Sequence, residues 1–198
     1  FISAETPNPV TVVGTDGSTI YVKISRDNIV NEYNFSTPPH DGTRYYMDAG
    51  AGGIAIGVHT TQFEIREFGL YEPVLETVAD EITNWGQNSG GGNLIRIAGL
   101  VGKTAQAKSE AKIARGLEYH AGLLSLSAYK GSNEDEIIEH CQAVADVIPV
   151  IGFYLQPSVG GVVLSSDFWR QFAEIDNVVA IKLAPFNRYR TLDVVRGV

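Results

Sequence analysis

The sequence predicts a parallel α/β sheet with helical crossovers, and three observations carry that prediction. Short, nearly uninterrupted apolar runs recur at residues 54–58, 94–100, 123–126, 150–153 and 178–181, as strands buried on both faces require. Between them lie longer stretches whose apolar residues repeat at helical spacing. The two kinds alternate along the chain, a rhythm that an eight-stranded barrel and an open doubly wound sheet both satisfy.

The elements follow in order. Residues 1–9 are proline-rich and read as extended. Residues 10–13 and 19–24 flank Asp16-Gly17, a pair that tolerates positive φ in a hairpin turn, and Ile20, Val22 and Ile24 alternate with polar neighbours. Residues 26–43 read as loop, and 44–49 as the end of a short helix. The strand at 54–58 precedes a helix over 67–85, with Leu70, Val74, Leu75, Val78 and Ile82 on one face. A glycine-rich loop over 87–93 leads to the strand at 94–100. Thr104 is expected to cap a helix whose stripe is Ala107, Ala111, Ala114 and Leu117. After the strand at 123–126, Asn133 and Glu136 form a capping box before a helix burying Ile137, Ile138, Cys141, Val144, Ala145 and Ile148. The strand at 150–153, a helix over 165–174, the strand at 178–181 and a helix over 190–195 complete the chain.

Composition narrows the function. With 198 residues, 44% hydrophobic and 19% charged, the chain can bury a substantial core. A net charge of −8 gives no electrostatic footprint for nucleic acid or an anionic membrane. No apolar run approaches the ~18 residues of a membrane span, and no signal peptide is visible, so a cytoplasmic location is expected. The single cysteine, Cys141, excludes an intrachain disulfide and reads as a small buried hydrophobe. The four histidines lack metal-ligand spacing, so no zinc site is expected.

Two residues stand out. Lys182 ends the last apolar run, and a lysine there either reaches solvent past the strand end or is a buried amine available to attack a ketone. Tyr154 ends the preceding run and opens Tyr154-Leu155-Gln156-Pro157-Ser158-Val159-Gly160-Gly161.

That stretch, followed 28 positions later by Ile181-Lys182, resembles the Tyr-Asn-x-Pro and Schiff-base lysine motifs of the dihydrodipicolinate synthase and N-acetylneuraminate lyase family. Residues 49–57 followed by Thr60-Thr61 resemble the strand leading into its Gly-Thr-Thr-Gly-Glu motif. Residues 97–102 resemble its next strand, and Ala128-Tyr129 stands at its Pro-Tyr-Tyr. The likeness covers roughly residues 44–192.

The resemblance implies a (β/α)8 TIM barrel, incomplete at its C-terminal end and working without metal or organic cofactor; the N-terminal β-hairpin read from residues 10–24 is atypical for it. It divides the chain into a segment 1–43 and a barrel domain 44–198. It implies a class I lyase or aldolase in which Lys182 forms an imine with pyruvate or a related 2-oxo acid, so that a C–C bond to an aldehyde can be made or broken. Tyr154 is then the proton relay, working with Thr61 and with Tyr129, which the family supplies across a subunit contact in a homo-oligomer. Thr60 and Thr61 hold the substrate carboxylate, and His59 and Gly161 line the site. Tyr154 and Lys182 should then sit on adjacent parallel strands with their polar ends in one pocket at the strand carboxyl ends.

The sequence also departs from the pattern. Gln62 and Phe63 replace the family's Gly-Glu, Leu155 its asparagine, and His59 its first glycine. Val159 stands where dihydrodipicolinate synthases carry an arginine for the second substrate's carboxylate, which argues against that particular activity. A non-catalytic small-molecule-binding or assembly protein on the same scaffold is the competing expectation. A complete barrel needs about 250 residues, so a longer parent chain is expected, with Phe1 not a native start. The strand of Lys182 should then be an apolar edge that invites association, with its lysine open to water on one side.

Overall fold

The structure is a computed structural model describing residues 39–58, 60–89 and 94–198. Among these residues five strands, β1 (Gly53–Ile56), β2 (Ile95–Leu100), β3 (Ala121–Ser125), β4 (Val150–Leu155) and β5 (Val178–Ala184), alternate with helices. Helix α1 (Pro39–Asp48) precedes β1. Helices α2 (Tyr71–Ser89), α3 (Thr104–Gly116), α4 (Glu134–Ala145), α5 (Ser166–Ala173) and α6 (Arg188–Gly197) follow the strands one by one. The strands lie in chain order, β1-β2-β3-β4-β5, and β1–β2, β3–β4 and β4–β5 pair in parallel. An order that never reverses is the order of a barrel; a doubly wound sheet changes direction at a switch point. The arrangement therefore fits a partial TIM barrel. The expected N-terminal hairpin lies outside the described residues.

The chain divides into two compact units, Phe1–Ala98 with Leu117–Tyr119, and Gly99–Gly116 with His120–Val198. In the first, α1 packs on α2. Arg44 reaches the largely buried Glu81 at 2.8 Å, and the Trp85 indole donates to Asp48 at 2.7 Å. Ile54, Ile56, Leu75 and Val78 form its core. Tyr119 is buried, donates to the Leu75 carbonyl at 2.9 Å, and has its phenol pKa raised by burial.

In the second unit α5 lays Phe168, Trp169 and Phe172, all fully buried, on β4. The Trp169 ring meets Phe168 and Phe172 edge-on at 5.1 and 5.6 Å between centroids, the geometry that aromatic quadrupoles favour. The approach needs a glycine: a Cβ on Gly152 would lie 2.7 Å from Phe172 and 3.4 Å from Trp169. Ala107, Ala111 and Ala114 of α3 are fully buried as predicted, small enough for close packing. The Asn133 side chain accepts from the Glu136 N–H at 2.8 Å, and Ser165 caps α5 by accepting from Phe168 at 3.1 Å.

Several expectations needed correction. Residues Pro39–Thr43, read as loop, are helical because α1 begins at Pro39, where proline's fixed φ suits a first turn. Helix α2 starts at Tyr71 instead of 67 because residues 67–69 form a turn in which Gly69 has φ 65° and donates to Arg66 O, and it runs through Ser89. Strands β4 and β5 extend to Leu155 and Ala184, so Tyr154 and Lys182 lie within strands instead of closing them. Strand β5 has the composition of a strand buried on both faces, while the missing barrel strands predict an edge, and the structure agrees with the edge. It is the last strand of the sheet and is only half-buried, with Val179 60% exposed beside a groove lined by Val178, Ile181, Leu183 and Val195. No helix among the described residues is long and apolar enough to cross a membrane.

The Gly152 contact yields a stability prediction. Gly152→Ala is expected to cost about 1–3 kcal/mol by overpacking against the α5 rings, read as a lower urea midpoint with an unchanged denaturant slope.

Candidate functional site

The register of β4 and β5 sets where the candidate residues point. Phe153 pairs with Lys182 and Tyr154 with Leu183, and partners in a parallel ladder share a face while successive residues alternate. Lys182 therefore lies on the face of Phe153, with its Nζ 4.9 Å from that ring's centroid. Ser125 of β3 pairs with Phe153, so one row across three strands reads Ser125, Phe153, Lys182. Ser125 is buried, and its hydroxyl lies 3.1 Å from that of Ser127.

Tyr154 takes the opposite face. Its ring packs 4.9 Å from Trp169 of α5, it is 1% exposed, and its hydroxyl lies 3.5 Å from both the carbonyl oxygen and the amide nitrogen of Leu164. The expectation of adjacent parallel strands is met; that of one shared pocket is not. Lys182 and Tyr154 belong to faces of opposite parity because Gly152 and Tyr154 both turn toward the aromatic side of α5.

The loop after β4 is tight. Residues Pro157–Val159 form a 3₁₀ turn, Gly160 has φ 98°, and the Gly161 N–H donates to Gln156 O at 3.0 Å. A side chain on Gly161 would collide with the Leu155 carbonyl. Gly161 thus gives its amide to the turn itself. Val159 is exposed on this loop.

Tyr129, in the turn following β3, sits in a polar cluster. Its hydroxyl is 2.7 Å from Thr104 Oγ1, which is 3.0 Å from His140 Nδ1. The Tyr129 and His140 rings lie 4.4 Å apart at 32°, and Lys103 Nζ is 3.9 Å from the Tyr129 centroid. Thr104 was expected to be a cap; it is the first residue of α3, and its hydroxyl joins Tyr129 to His140. His140 is 2% exposed. Burial, reinforced by the nearby Lys103 charge, lowers its pKa from 6.5 to about 4, because both disfavour the imidazolium.

Thr60 and Thr61 open the 3₁₀ helix Thr60–Arg66 in the first unit, and His59 lies outside the described residues. Sequence reasoning missed Ser125, Phe153 and His140. The signals were there: Ser125 is a polar residue ending a run of buried ones, and His140 is three residues from Ile137 and four from Val144, on the helix face already assigned to the core. No group of three or more His, Cys, Asp or Glu able to hold a metal occurs among the described residues.

The histidine supplies a pH prediction. Between about 6.5 and about 4 the unfolded chain binds a proton at this position that the folded chain does not, so stability must fall as the pH drops through that window. The loss should reach up to about 3 kcal/mol and level off below it. Chemical denaturation across the window should show this slope, and His140→Gln should remove it.

No family model and no curated sequence matches the chain. Solved structures do. Dihydrodipicolinate synthase from Aquifex aeolicus aligns with a TM-score of 0.67 at 23% identity, over 80% of this chain and 53% of its own. N-acetylneuraminate lyase from Mycoplasma synoviae gives 0.61 at 22%, over 78% and 50%. Dihydrodipicolinate synthase from Oceanobacillus iheyensis gives 0.65 at 19%, over 80% and 49%. The chain spans about half the length of these proteins. Over about four fifths of its length, it has the fold of the dihydrodipicolinate synthase and N-acetylneuraminate lyase barrels.

Proposed function

We propose that the chain belongs to a lyase or aldolase in which Lys182 forms an imine with pyruvate or a related 2-oxo acid, a C–C bond to an aldehyde then being made or broken. The observation carrying the reading is the position of Lys182 on the fifth parallel strand, half-buried, with its amine against the Phe153 ring. The motif order and the shared fold support it. The neutral amine attacks the ketone carbon, water leaves, and the imine withdraws electrons so that the adjacent carbon can lose a proton or a carbon substituent. By motif order alone, Thr60 and Thr61 are the candidates for the substrate carboxylate and His59 for a substrate contact, while Gly161 shapes its own loop through its backbone. Tyr129 and Thr61 are the candidate hydroxyls for moving protons.

The relay does not run through Tyr154 in this version. Its hydroxyl lies against Leu164 on the side away from Lys182, where it holds the loop following β4. Val159 offers no charge to a second carboxylate, so the partner is an aldehyde other than the one that dihydrodipicolinate synthases take. Self-association through the half-exposed β5 and a cytoplasmic location belong to the same proposal.

A second reading is a small-molecule-binding protein that keeps the scaffold without the reaction. The orientation of Tyr154 and the use of the Gly161 amide inside its own turn favour it. Borohydride reduction in the presence of pyruvate, read by intact mass, separates the two. A stable adduct that disappears in Lys182→Ala is the expected result, and its absence from the unsubstituted chain assigns the protein to the binder class. Tyr154→Phe should retain the adduct within about twofold, because the lost hydroxyl is not on the lysine face; a loss of two orders of magnitude would return the relay to Tyr154.

A further inference from the structure

The cluster behind Tyr129 admits two opposite sets of hydrogen-bond directions, and the His140 tautomer selects between them. A neutral imidazole has one N–H and one lone pair. The His140 Nε2 atom is buried and has no hydrogen-bond partner among the described residues, whereas Nδ1 lies 3.0 Å from Thr104 Oγ1. Either tautomer leaves Nε2 without a partner, but a buried N–H without an acceptor is rarer in native structures than a buried acceptor without a donor, which favours the lone pair on Nε2. A proton on Nδ1 is used at once.

We propose that His140 keeps its single proton on Nδ1 and, through Thr104, positions the Tyr129 phenol as a committed hydrogen-bond donor. The Thr104 hydroxyl has one hydrogen. If its oxygen accepts from His140 Nδ1–H, that hydrogen goes to the Tyr129 oxygen 2.7 Å away. The phenol hydrogen is then excluded from Thr104 and must be offered elsewhere. With the other tautomer every arrow reverses: Nδ1 accepts from Thr104, Thr104 accepts from Tyr129, and the phenol hydrogen is spent inside the cluster. His140 thus decides whether Tyr129 is a donor or an exhausted one, without itself touching a substrate. The lowered pKa is consistent with the neutral ring this scheme requires. The hydrogen-bond direction rests on the cluster alone. Only the group that receives the phenol hydrogen, oxygen developing charge on the substrate, rests on the lyase reading.

The test is a long-range ¹H–¹⁵N correlation spectrum of the ¹⁵N-histidine-labelled chain near neutral pH, with the His140 signals assigned by their loss in His140→Gln. The expected pattern is a protonated Nδ1 and an unprotonated Nε2. Thr104→Val, which removes the acceptor, should abolish the Nδ1–H pattern, and Thr104→Ser, which restores a hydroxyl, should keep it. A role in packing alone would not move the tautomer with the hydroxyl. An Nε2–H pattern or an even mixture in the unsubstituted chain overturns the proposal, and so does an Nδ1–H pattern that survives Thr104→Val. The spectrum requires no turnover, so imine trapping and this inference succeed or fail separately.

Discussion

The placement of the candidate lysine depends on how closely the rings of α5 approach β4. Phe172 and Trp169 occupy the space where a Cβ on Gly152 would stand, so Gly152, and with it Tyr154, must face α5. A strand has a period of two, and a slip of one residue would move every side chain to the other face. Phe153 is thereby sent to the opposite face, and the ladder carries that choice to Lys182 on the neighbouring strand. A packing contact on the helix side thus fixes the chemistry available on the other.

The same alternation explains what the sequence could and could not disclose. The order of elements was legible because buried parallel strands and amphipathic crossovers have different periods, and alanines at helical spacing can hardly belong to anything but the packed face of α3. Asn133 announced its helix because a capping side chain acts within three residues of itself. Parity was legible too, since an odd offset within the strand separates Phe153 from Tyr154. Spacing between motifs, however, counts residues along the chain, and it put Tyr154 and Lys182 in one pocket without asking which way each strand residue points. Strand ends differ from the sequence reading for a related reason: Tyr154 and Lys182 read as terminators because they are polar, yet the first tilts against Trp169 with its hydroxyl on Leu164 and the second lies along Phe153.

The Tyr129 cluster was illegible on different grounds. Thr104 before an alanine-rich helix reads as a cap, and nothing local indicates that its hydroxyl is claimed by residues 25 and 36 positions away. Once His140 is buried against Tyr129, its charge is disfavoured and its one proton becomes the scarce item in the cluster. The Thr104 hydroxyl has these two partners among the described residues, so its own hydrogen is used only when it accepts from one and donates to the other. Directionality of this kind is a property of a closed set of contacts, and no single residue type encodes it.

Strand β5 carries the last step of the argument. Its sequence, Val178-Val179-Ala180-Ile181-Lys182-Leu183-Ala184, has the composition of a strand covered on both faces, yet Val179 is 60% exposed. Apolar area left in water forgoes about 25 cal/mol per Å² of burial, and β5, last in the sheet among the described residues, leaves backbone donors and acceptors on its outer side as well. Both terms favour covering the strand, whether by a second copy or by further polypeptide. Lys182 feels the outcome directly. Exposed, its amine is a hydrated ammonium and no nucleophile; enclosed beside Phe153, it loses hydration and the neutral form becomes accessible. In the lyase reading, what covers β5 therefore bears on whether the lysine is a solvated strand residue or the attacking amine.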